Sequence, residues 1–123
     1  MKRVLTLILA VFGATGCTGA PDSKIEGKVS HIIVYKAKRE LHLMQGDMTL
    51  RVYKVALGGN PVGHKEIEGD QKTPEGNYRI TSHNPRSQFY KSLAISYPNK
   101  ADIKHAARMG KSPGGDIMIH GLG

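Results

Sequence analysis

The sequence predicts a mainly β, single-domain protein with one short helix. Three observations predict it. β-Branched and aromatic residues cluster in short runs separated by Gly, Pro and charged turns. Helical spacing framed by cap residues occurs once, near residues 100–109. The 123 residues leave room for one small domain, with hydrophobic content of 39% but only 6% aromatic, enough for a modest core.

The elements follow in order. Ser30–Lys36 (SHIIVYK) reads as a strand, Leu41–Met44 as a second, and Met48–Leu57 as a third after a Gly46-Asp47 turn, together a three-strand antiparallel meander. Residues 58–76 (GGNPVGHKEIEGDQKTPEG) form a long loop rich in Gly, Pro and charge, and loops of that length inside a small domain are usually functional. Strand character returns over Asn77–Ser82 and Leu93–Tyr97, which Pro98 ends. Asn99 is placed to cap a helix running to about Met109, with Asp102 at its positive end, Ile103, Ala106 and Ala107 as its apolar side, and Gly110 at the C-terminal cap. The Ser112-Pro113-Gly114-Gly115 turn leads into a last strand, Asp116–His120.

Residues 1–17 read as a leader rather than fold. Lys2 and Arg3 precede an apolar run, Val4–Phe12, too short to span a bilayer, and Ala14-Thr15-Gly16-Cys17 resembles a bacterial lipobox that lipidates Cys17, although Ala14 stands where Leu is usual. The alternative is an ordinary secretory signal cut near Ala20. Residues 18–28 are a polar linker and residues 29–123 the domain. The expectation is an exported, periplasmic protein anchored to a membrane through Cys17. That cysteine is the only one, which excludes an internal disulfide and a two-cysteine metal site. Standing ahead of the domain, it has no scaffold to activate it as a nucleophile.

The net charge is +8, and without Lys2 and Arg3 the remaining 16 basic and 10 acidic side chains leave +6. The basic residues are scattered, with no aromatic-interleaved stripe, so no nucleic-acid partner is expected and the anionic cell wall is the natural counterpart. Neither a metal nor a cofactor is expected. His64, Glu66, Glu68 and Asp70 alternate along the loop but read as a solvated face, and Gly58–Gly63 lacks the Lys-Ser/Thr of a phosphate loop. His31 and His42 read as structural strand residues, and His83 and His105 as surface ones.

Two segments carry candidate chemistry. His120 ends an apolar strand just before Gly121, where a rigid imidazole can stand at a pocket rim while glycine admits a substrate backbone. Thr73-Pro74-Glu75-Gly76 is a corner in which Pro74 presets φ and Gly76 adopts what other residues avoid. His83, Arg86 and Tyr90 are candidates to line a substrate groove.

Taken together, Val34-Tyr35-Lys36, Leu57-Gly58, Lys72–Tyr78 and Ile117-Met118-Ile119-His120-Gly121 resemble the L,D-transpeptidase catalytic domain, also called YkuD-type. Asn60–Lys65 and Ser112–Asp116 are similar to its small, murein-related lipoprotein-like branch. The resemblance implies a β-sandwich and cysteine-protease-like acyl transfer on peptidoglycan stem peptides, to an amine or to water. It implies His120 as the base activating a thiol and the Gly121 carbonyl orienting its imidazole; Thr73 joins His83, Arg86 and Tyr90 as a candidate on the substrate side. A cell-wall lipoprotein is a further candidate partner. The family pattern runs on into a Ser/Thr-His-Gly-Cys segment that these residues do not contain. The expectation is thus a domain missing its C-terminal part and nucleophile, inactive as this fragment. The alternative is a non-catalytic peptidoglycan-associated lipoprotein.

Overall fold

A computed structural model describes residues 9–10, 24–87 and 91–121. Cys17 and Tyr90 lie outside them. Leu9–Ala10, within the expected leader, forms β1, a two-residue rung pairing with Ala56 and Val55. The first sheet is otherwise the expected meander of β2 (His31–Tyr35), β3 (Glu40–Gln45) and β4 (Met48–Ala56), in the order β1-β4-β3-β2. Its register sets Val34 opposite Leu41 and Leu41 opposite Tyr53, and a bulge at Leu43/Met44 shifts the β3–β4 ladder.

The second sheet comprises β5 (Ile80–Asn84), β6 (Ser92–Ile95) and β7 (Met118–His120), all antiparallel with β6 central. β5 begins three residues later than the sequence pattern suggests. Tyr78 turns inward, and the Arg79 amide donates to the Ser96 hydroxyl (2.9 Å) instead of a ladder carbonyl. All five residues of β5 are exposed, as befits an edge strand. The core lies between the sheets, where Val34, Leu41 and Val55 meet Ile95 and Ile119, with Tyr78 and Tyr97 closing one end.

Helix α1 (Lys100–Arg108) has the predicted start. Asn99 Oδ1 accepts from the Asp102 amide and Asp102 Oδ2 accepts from the Asn99 amide, both at 2.9 Å, a complete capping box. The inward stripe differs from the expectation. Asp102 and, one turn on, the fully buried Ala106 face the core, whereas Ile103 is half exposed. Asp102 decides the rotation, because its Oδ2 also accepts from the buried Tyr78 hydroxyl (2.9 Å) and its Oδ1 from His64 Nε2 (3.0 Å). A carboxylate so fully bonded tolerates burial that would otherwise be prohibitive.

Replacing it should therefore be costly. Asp102→Ala strands the Tyr78 hydroxyl, removes the partner of His64 and breaks the carboxylate half of the capping box, and should lower stability by roughly 3 kcal/mol. Tyr78→Phe, which removes one bond, should cost about 1 kcal/mol. Urea unfolding midpoints measure both, and equal shifts would contradict the central role of Asp102.

Candidate active site

Residues 57–79 contain no strand, so their backbone groups must find partners outside a ladder. Lys36, just past β2, supplies one set. Its side chain is 8% exposed, and Nζ donates to Gly63 O (2.7 Å), Thr73 O (2.9 Å) and Glu75 Oε1 (3.1 Å), using all three protons. Burial holds the Lys36 pKa below the usual lysine range and the Arg39 and Lys72 charges add to this, against the opposing pull of Glu75.

Asp70 organises the loop's other half. It accepts from the amides of Glu66 (2.8 Å), Ile67 (3.1 Å) and Lys72 (3.0 Å) and from Lys65 Nζ (2.9 Å). Burial would raise its pKa, but these four donors outweigh that and hold the carboxyl well below the ordinary value of 3.8. The end of β4 comes so close that a Cβ at Gly58 would collide with the Gln71 carbonyl oxygen. Gln71 itself sits at φ 57, its carbonyl accepting from the Asn60 amide (3.1 Å).

His64 joins loop to helix. Its Nδ1 accepts from the Glu75 amide at 2.7 Å, which leaves the proton on Nε2 to donate to Asp102. Burial, with Asp102 and Asp70 nearby, pushes the Tyr97 phenol up to about 12, and burial with the Asp102 bond pushes Tyr78 higher still, so both remain neutral donors. The reading of residues 64–70 as a solvated loop face holds for the exposed Glu68 and the partly exposed Glu66 and is corrected for His64 and Asp70. His64 and Asp70 turn inward as structural acceptors and donors, and Glu66 reaches His105 Nε2 (3.1 Å). Among the described residues no group of three or more His, Cys, Asp or Glu is placed to hold a metal.

Held this way, the loop forms one wall of a cleft of about 620 Å³. Thr73 and Gly58 line it from the loop side, and Asp116, Met118 and His120 from β7 and the segment before it. His120 Nδ1 lies 2.9 Å from the carbonyl oxygen of Gly121. A carbonyl only accepts, so Nδ1 carries the proton and Nε2 the lone pair, the tautomer a general base requires. The buried Ile119 anchors the strand before it, and the Gly121 amide donates to Lys91 O (3.3 Å) after it.

Residues 29–123 match the family described as YkuD, L,D-transpeptidase catalytic domain. The chain belongs to that family. It is similar to "Putative L,D-transpeptidase YafK" of Escherichia coli K12, at 31% identity over 104 residues covering 80% of this chain and 40% of that protein. The O157:H7 protein of the same name matches to the same extent. The chain thus spans about two fifths of the length of these curated relatives. No solved structure is a significant match.

Within this L,D-transpeptidase domain, Thr73, His120 and Gly121 come together as one site, with Thr73 and His120 lining the cleft. His83 and Arg86 do not join them. His83 is exposed on β5, and Arg86 lines a separate depression with Asn84 and Ser92 that touches the cleft only through Met118. Lys36, Lys65 and Asp102 are positioning residues to which sequence reasoning gave no part in the site. Lys36 and Lys65 stood there only within the family-like segments Val34-Tyr35-Lys36 and Asn60–Lys65, and Asp102 only as the acid at the helix start.

Asp70 gives this arrangement a pH signature. Because its folded pKa lies below the unfolded value, its contribution is present above about pH 4 and is lost as pH falls through the folded pKa. Asp70→Asn should cost roughly 3 kcal/mol at neutral pH, since Lys65 loses its partner, and should flatten the acid limb of stability. Thermal melts of both proteins from pH 7 to pH 2 check this, and parallel acid limbs would contradict it.

Proposed function

We propose that this domain carries the histidine half of a Cys–His peptidoglycan L,D-transpeptidase acting in cell-wall remodelling. The observation carrying the reading is the contact between His120 and the Gly121 carbonyl, on the wall of a cleft shared with Thr73. Family membership supports peptidoglycan as the substrate class.

The chemistry follows from that tautomer. His120 Nε2 takes the proton of a cysteine thiol, and the thiolate attacks the carbonyl carbon of a stem-peptide residue. The C–S bond forms, the C–N bond breaks, and the imidazolium returns its proton to the leaving amine. An acceptor amine, or water, then attacks the thioester while His120 takes up its proton, and the thiol is regenerated. Cys17 precedes the domain and is the only cysteine of the 123 residues, so we assign the nucleophile to sequence beyond them. The 123-residue fragment is accordingly inactive in this reading.

The sole cysteine also favours a second reading, a non-catalytic peptidoglycan-associated lipoprotein. An intact reading frame continuing into Ser/Thr-His-Gly-Cys distinguishes the two, and an in-frame stop after Gly123 would leave only the second. Either protein is exported, with the Ala14-Thr15-Gly16-Cys17 segment supporting a periplasmic location and a lipid anchor on Cys17. His83, Arg86 and Tyr90 remain proposed substrate contacts, His83 and Arg86 engaged by the part of a long glycopeptide lying outside the cleft. A cell-wall lipoprotein is a proposed acyl acceptor.

Two outcomes are expected. In a protein carrying the thiol, His120→Ala should lower acyl-enzyme formation by at least about 10³-fold without altering the melting temperature. Intact-mass measurement after incubation with tetrapeptide muropeptides reads this, and an undiminished acylation rate would remove His120 from the site. In cells, Cys17→Ala should abolish metabolic labelling by an alkyne fatty acid and shift the protein to the soluble fraction; persistent labelling would place the lipid elsewhere.

A further inference from the structure

The cleft wall includes a lysine that no carboxylate among the described residues pairs with. Lys36 gives its protons to Gly63, Thr73 and Glu75, and Lys65 is paired with Asp70. Lys72 lines the same cleft, half-buried, yet its ammonium makes neither hydrogen bond nor ion pair among the described residues. Its Nζ lies beside Gly63, 3.6 Å from where a Cβ would stand. It is close enough to Lys36 that its charge helps to depress that lysine's proton affinity. Lys36 already has Glu75 as its counter-charge, whereas Lys72 beside it has none among the described residues, so an anion reaching this wall would gain a charge-assisted bond there.

The position is also fixed rather than accidental. The Lys72 amide is bonded to Asp70 Oδ1 (3.0 Å), and the next residue, Thr73, is clamped by Lys36. Asp116 lines the cleft as well, but no ion pair joins it to Lys72. The two charges stand apart, an arrangement suited to a peptide bearing both carboxylates and an amine.

We propose that Lys72 binds a carboxylate of the donor stem peptide, making it a specificity-determining residue of the His120 cleft. The inference rests on the peptidoglycan reading above. Titration calorimetry of the complete protein tests it, using a tetrapeptide muropeptide and the same molecule with its peptide carboxylates amidated. Wild type should prefer the free acid by about tenfold, as a charge-assisted hydrogen bond allows. Lys72→Gln keeps the stem and the backbone bond to Asp70, and should bind both forms alike. Lys72→Arg should restore most of the preference. Lys104→Gln, an equal charge change on the exposed face of α1, should leave it intact. A preference that survives in Lys72→Gln, or an equal loss for both ligands, overturns the carboxylate assignment while leaving the peptidoglycan reading standing. If wild type binds neither form, both fall.

Discussion

The Lys36 ammonium is the constraint on which the rest of the site depends. A segment of more than twenty residues without a ladder must either face water or find buried partners, and one side chain here supplies partners at three separated points. Gly63, Thr73 and Glu75 are drawn to a single nitrogen, which folds the loop back on itself against the end of β2. A neutral residue of similar length could fill that volume, but it could not satisfy two carbonyls and a carboxylate together. Burial costs the charge some of its stability, visible in the lowered proton affinity, and the three acceptors offset that cost.

Asp70 and Asp102 extend the same solution to the loop's remaining contacts. Asp70 gathers three amides and Lys65 into a closed turn. Asp102 completes the capping box of α1 while receiving His64 from the loop and Tyr78 from its exit. The helix therefore acts as a fixed post for the loop more than as a core element, and its exposed Ile103 and buried Asp102 invert the usual amphipathic arrangement. Because each carboxylate serves several elements at once, substitutions at these positions should couple non-additively.

The sheets were legible in the sequence because their signals are local. Val34, Leu41 and Val55 alternate within short runs, and Gly46-Asp47 marks the turn between two of them. The helix start was equally legible, since a capping box spans only four residues. What could not be read were contacts between distant segments. Nothing near Asp102 in sequence says that Tyr78 and His64 will meet it, so Ile103 looked like the inward residue. His64 and Asp70 looked solvated because their partners, Glu75, Lys65 and the helix, are set by the fold. Within the site, Thr73, His120 and Gly121 were found through a resemblance spanning two distant segments. Lys36 and Lys72 gain their meaning only from the geometry.

The strand end and the clamped loop give the His120 imidazole a fixed direction in the cleft. Its imidazole has one proton committed to the carbonyl of the next residue. The backbone on either side is held by Ile119 in the core and by the Gly121–Lys91 bond. With Nδ1 so occupied, the orientation of the ring follows from β7. The opposite wall is equally constrained, because Gly58 permits the Gln71 carbonyl to approach and any side chain there would push the wall outward. A long irregular loop can therefore act with the precision of a sheet, provided that buried charges replace the ladder it lacks.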